Sequence, residues 1–141
     1  MIPNIPHNPF LMLLSAELLE WDSGMCMWEL DIKPMFLNTQ GALHGGVVAA
    51  LLDVACAYSC FYPGGGKLTH RASTISLTTH YLFPIKGRRV IAQGRHVGGG
   101  SRIQFAEAEL LEDGVVVAKA SGNFRIYPVL RDEIVGKPQI P

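Results

Sequence analysis

Charge is scarce in this sequence. Only 17% of the 141 residues are Asp, Glu, Lys or Arg, and twelve basic residues balance twelve acidic ones. So balanced a set offers no global field to nucleic acid or to an anionic membrane surface, and neither is expected as a partner. Cysteine is sparse too: Cys26, Cys56 and Cys60 are odd in number and form no Cys-x-x-Cys pair. Cys56 and Cys60 fall one turn apart on the helix expected below, a poor geometry for a disulfide, so reduced thiols in a cytoplasmic protein are expected. No apolar run is long enough to span a bilayer, the best candidate, 47–62, being interrupted by Asp53. The opening MIPNIPHNPF lacks the basic and apolar regions of a signal peptide. His7, His70, His80 and His96 do not stand at ligand spacing, so no metal is expected. The glycines at 98–100 precede no helix pattern and no Gly-Lys-Ser/Thr, which excludes a phosphate loop. What remains is a chain that is 48% hydrophobic and of single-domain size. A surface so poor in charge points to an oligomer interface or a ligand site.

Apolar residues recur at helical spacing over 8–20, with Pro9 suited to a first turn, and predict a helix there. The segment MWELDIK alternates, with Trp28, Leu30 and Ile32 on one face, and reads as a half-buried strand stopped by Pro34. Residues 45–61 hold no proline and are apolar almost all round, as expected of a long central helix. Pro63 and the glycines 64–66 end it. From Arg71 the period returns to two, placing Ile75, Leu77, Tyr81 and Phe83 on one face and Thr74, Ser76, Thr78 and His80 on the other. Three further strands are predicted at about 88–97, 102–112 and 115–127, the last pair joined by Asp113-Gly114, a favoured tight hairpin. The tail after Pro128 reads as loose edge material. One antiparallel sheet then covers one long apolar helix, an α+β architecture, and the surface it leaves open asks for a dimer.

Between Lys33 and Lys67 the only formally charged residue is Asp53, on that helix. Its neighbours at three and four residues are Ala49, Ala50, Cys56 and Ala57, all small, so a substrate or a second chain can approach it closely. Partial burial raises a carboxyl pKa and sharpens its basicity. The competing reading is a polar core residue satisfied by a hydroxyl or an amide. His44-Gly45-Gly46 stands where the helix begins, where backbone amides lack internal acceptors and the dipole is positive. Such an amide suits a carbonyl becoming tetrahedral, although glycines there also simply permit a sharp turn. Gly45 and Asp53 are eight residues apart, about 12 Å along a helix. One carbonyl cannot reach both within a chain. If both act on it, they come from different subunits.

The pattern Asn-x5-His-Gly-Gly-x6-Asp, met by Asn38, His44, Gly45, Gly46 and Asp53, resembles that of the hot-dog-fold acyl-CoA thioesterases of the phenylacetate-degradation type. The stretches STISLTTHYLFPIKG and DGVVVAKASGNFRIY resemble two strands of the same family, so the likeness covers about 10–127 of a single domain, 1–141. The resemblance implies a hot-dog fold, a sheet wrapped around a long central helix, paired into homodimers and often homotetramers. It implies acyl-CoA hydrolysis with no cofactor beyond the coenzyme A of the substrate. On that resemblance Asp53 is the base or nucleophile and the Gly45 amide polarises the carbonyl. Asn38 and His44 position substrate or water, and Thr74 orients the water or Asp53. Gly46, Tyr58 and Tyr81 are candidates for substrate contact, with Phe10, Leu13, Leu14 and Phe61 available for an apolar pocket or for core. Arg88, Arg89 and Arg102, with Lys86, are candidates for the CoA phosphates or for plain surface charge. Hydratases of this fold need a histidine five residues after the aspartate, where Tyr58 stands, and thioesterases with a glutamate on the helix find none here. A non-catalytic acyl-CoA-binding dimer is the alternative.

Overall fold

The computed structural model describes residues 8–130, so His7 and the tail from 131 onward lie outside the described residues. The chain opens with helix α1 (Pro9–Leu14), whose Asn8 side chain caps the Leu11 amide at 3.2 Å. Six strands and one long helix follow: β1 (Glu17–Asp22), β2 (Met25–Asp31), α2 (Gly45–Ser59), β3 (His70–Tyr81), β4 (Arg89–Gly99), β5 (Ile103–Glu112) and β6 (Val115–Pro128). The strands form one antiparallel sheet in the order β1-β2-β4-β5-β6-β3, and α2 packs across one face of it.

The helix predicted over 8–20 is half right. Ser15, in the left-handed region at φ 57°, stops α1 after Leu14, and Glu17–Asp22 is a strand paired with β2 across the Gly24 turn. A bulge between Leu18 and Glu20 explains the misreading. The extra residue Leu19 puts Leu18 and Trp21, three apart, on the same buried face. That spacing is also the spacing of a helix face.

In β2, Cys26, Trp28 and Leu30 alternate inward as expected. They meet Val48, Leu51, Leu52 and Ala55 of α2 in the core. The sheet approaches the helix most closely at Gly94, where an added Cβ would lie 1.9 Å from the Ala55 carbonyl oxygen. The same oxygen accepts from Cys26 Sγ at 3.0 Å, and Trp21 Nε1 donates to the Tyr58 carbonyl at 2.8 Å. Backbone cannot retreat from backbone there, so Gly94→Ala is expected to cost roughly 3 kcal/mol in urea unfolding. Gly98→Ala on the same strand, where an added Cβ meets nothing within 4 Å, should change stability by no more than about 0.5 kcal/mol.

β3 lies at the sheet's edge and pairs on one side only, with β6. A bulge falls between Thr74 and Ser76, so Ile75 is the unpaired residue and is 53% exposed. This overturns the predicted facing of the strand. Thr74 leaves the Ser76, Thr78 and His80 set and turns toward α2, the side also reached by Leu77 and Tyr81. A twelve-residue strand with a free edge is a template for pairing with another chain.

Candidate active site

The loop before α2 is shaped by Asn38. Its side-chain oxygen accepts from the amides of Gln40 (2.9 Å) and Ala42 (3.1 Å), closing a tight turn. Backbone bonds from Leu43 to the Ile85 carbonyl (2.8 Å) and from His44 to the Phe36 carbonyl (2.8 Å) then deliver the chain to the helix start. His44 is the N-cap: its Nδ1 accepts from the Gly46 amide at 2.8 Å. A ring nitrogen that accepts carries no proton, so the neutral imidazole holds its hydrogen on Nε2 and presents a donor there.

This cap separates the two glycines. The Gly46 amide is taken by His44, whereas the Gly45 amide has no acceptor among the described residues. Neither glycine has a positive φ, so unusual backbone angles do not require them. Space requires Gly46, where a Cβ would press on His44 Nδ1 at 3.0 Å, whereas a Cβ on Gly45 would only make ordinary contact, 3.4 Å, with the Tyr81 ring.

Asp53 sits half-buried on the same helix and accepts a hydrogen bond from Thr74 Oγ1 at 2.6 Å. Burial raises its pKa above the ordinary carboxylate value, and the Thr74 bond pulls the other way without cancelling it. No cation among the described residues pairs with it or lowers its pKa. A carboxylate held by one hydroxyl, partly stripped of water and lacking a counter-ion, is suited to accept a proton or attack a carbon. The cysteines are not suited to that role, because burial pushes the Cys26 and Cys56 thiols up to about 12 and Cys60 up to about 11.

Other candidates fall elsewhere. Tyr58 is a core residue, with ring centroids 5.0 Å from each of Trp21, Trp28 and Phe61, and burial pushes its phenol up to about 12. Arg89 is paired with Asp31 (2.9 Å) and Glu29 (3.5 Å). Arg102 lies in the hairpin beyond the far end of β4, about 35 Å along the strand from Arg89. One chain therefore cannot gather Arg88, Arg89 and Arg102 on one CoA. Arg88 is on the side of α2's start, since the segment it ends bonds through Ile85 to Leu43. Two features went unread in the sequence. The His44 cap has a partial signal, a side-chain acceptor placed directly before a helix, whereas the bond from Tyr81 to the Gly45 carbonyl (2.7 Å) has none.

Two cavities, of about 340 and 370 Å³, lie over the outer face of β2, β4 and β5 and beside the last turn of α2. Neither contains Asp53 or Gly45. No group of three or more His, Cys, Asp and Glu among the described residues is arranged to hold a metal, and no described helix is long and apolar enough to cross a membrane.

A six-stranded antiparallel sheet laid on one long helix, with its polar groups along that helix, is the hot-dog fold. Solved structures carry the likeness. A mutant form of the phenylacetic acid degradation protein PaaI of Thermus thermophilus aligns with a TM-score of 0.75 and 25% identity over 84% of this chain and 98% of its own. A conserved protein of Pseudomonas aeruginosa reaches 0.79 at 21% identity over 86% and 95%, a likeness of fold. The chain belongs to the acyl-CoA thioesterase N-terminal domain family, whose model matches residues 34–125 and so spans Asn38 to Thr74. The medium/long-chain acyl-CoA thioesterase YigI of Salmonella typhimurium is 30% identical over 137 residues, covering 85% of this chain and 86% of its own. Thioester hydrolysis is therefore the chemistry of this chain's class.

Proposed function

We propose that the protein hydrolyses acyl-CoA at a site built from two protomers, with Asp53 and Thr74 from one and the Gly45 amide from the other. The carrying observation is the pairing of an uncompensated, half-buried carboxylate with an unclaimed helix-end amide on one helix, about 12 Å apart. An antiparallel β3–β3 pairing across a two-fold axis at Thr78, with Ile75 again the bulged residue, would set Thr74 opposite the partner's Tyr81. Because Thr74 touches Asp53 and Tyr81 touches Gly45, that pairing draws each acid toward the other chain's amide. The free edge of β3 supports it.

In this reading the Gly45 N–H donates to the thioester oxygen as negative charge grows there, and the Nε2–H of His44 is a second donor at the same end. Asp53 takes a proton from a water whose oxygen attacks the carbonyl carbon. The tetrahedral intermediate then collapses by breaking the C–S bond, and the proton passes to the departing CoA thiolate. Direct attack by Asp53 would give the same products through an anhydride. The likeness to YigI favours medium- and long-chain acyl groups over aryl ones.

The test is release of free thiol across a panel of acyl-CoA esters. Turnover is expected, with medium- and long-chain esters cleaved faster than phenylacetyl-CoA. Tight binding of the esters without thiol release would replace this reading by that of an acyl-CoA-binding dimer.

A further inference from the structure

Two consecutive glycines make the first turn of α2 soft, because neither has a side chain to restrict its backbone. Two contacts stiffen it. His44 takes the Gly46 amide, and the Tyr81 hydroxyl donates to the Gly45 carbonyl at 2.7 Å while the ring covers the Gly45 Cα. Tyr81 is the last residue of β3, and its side chain is 56% exposed in the single protomer. Its hydroxyl fixes the Gly45–Gly46 peptide plane and its ring lies against Gly45, so together they limit the φ and ψ through which the unclaimed Gly45 amide could turn.

We propose that Tyr81 is a positioning residue, fixing the direction of the Gly45 amide through the Gly45 carbonyl. This rests on the reading of Gly45 as the group that polarises the thioester. The bulge at Ile75 belongs to the same device. Thr74 and Tyr81 are seven residues apart, and in an unbulged strand they would face opposite sides of the sheet. With the extra residue both face α2, so a single strand holds the carboxylate at one point and the helix start at another.

The test compares wild type with Tyr81→Phe, which keeps the ring and removes the hydroxyl. Measured on the best wild-type substrate, kcat is expected to fall roughly tenfold with KM within about twofold. The acid limb of the pH profile should stay in place, since Asp53 and Thr74 are untouched. Hydrogen exchange at the Gly45 amide should quicken, and the melting temperature should hold. Three results would overturn the proposal: an unchanged kcat, a raised KM at constant kcat, which marks a substrate contact, or a several-degree fall in melting temperature, which marks a structural clasp. Asp53→Asn is run in parallel. If it is inactive while Tyr81→Phe is normal, only the positioning role fails; if wild type releases no thiol, the catalytic reading fails and takes this one with it.

Discussion

Asp53→Asn is expected to lower kcat by about a thousandfold, the scale of losing a general base or nucleophile, with acyl-CoA affinity largely retained. Asparagine matches the shape of the carboxylate and still offers an oxygen to Thr74 Oγ1, so folding should survive. It should in fact be favoured at neutral pH. Burial raises the pKa of Asp53 in the folded chain, and such a group contributes stability below its unfolded pKa that is lost as pH rises through the folded one. The neutral amide escapes that loss. The variant should melt no lower than wild type at neutral pH, by thermal denaturation, while releasing almost no thiol. Wild-type activity carries the same signature: it requires the ionised carboxylate, so it should fall on acidification through an apparent pKa raised above the ordinary aspartate value. Thr74→Val removes the bond that opposes the shift and should move this limb further up. A limb at the usual carboxylate position, unmoved by Thr74→Val, would remove Asp53 from the chemistry.

Gly45→Pro is the second large effect. Proline deletes the one amide of the first turn of α2 that has no acceptor among the described residues, and its Cβ comes only into ordinary contact, 3.4 Å, with the Tyr81 ring. It is well tolerated at a first helical position, and the preceding His44, at φ −59° and ψ 134°, already has the extended backbone that a following proline demands. The expected outcome is a folded protein whose kcat is down by roughly a hundred- to a thousandfold, the usual cost of losing one oxyanion donor, with KM little changed. A variant with wild-type kcat would show that the carbonyl is polarised elsewhere.

The long helix, the inward row of β2 and the hairpin at Asp113-Gly114 were legible because each obeys one regular period or one turn preference. The failures share a cause. Leu18 and Trp21 look helical, and Thr74 and Tyr81 fall on opposite faces, only while the strand is assumed unbroken; one bulged residue in each edge strand reverses both readings. A bulge leaves no compositional trace in Leu19 or Ile75, since it is set by pairing with residues distant in sequence. The candidate site was legible to a similar depth. Asp53 was conspicuous as a lone charge and Gly45 as a bare helix start, but Tyr58 looked as suited to a pocket as to the core until Trp21 and Trp28 were seen around it. The arginines looked equivalent until the length of β4 separated them.

The central claim is that acid and amide belong to different chains, and subunit mixing tests it most directly. Asp53→Asn and Gly45→Pro proteins, each nearly inactive, are dissociated, combined in equal amounts and reassembled. Each mixed dimer then holds one site with both defects and one with neither. With random exchange, half the dimers are mixed, and thiol release should recover to roughly a quarter of the wild-type rate. Failure to recover, with mixed dimers verified by native mass spectrometry, would contradict a shared site.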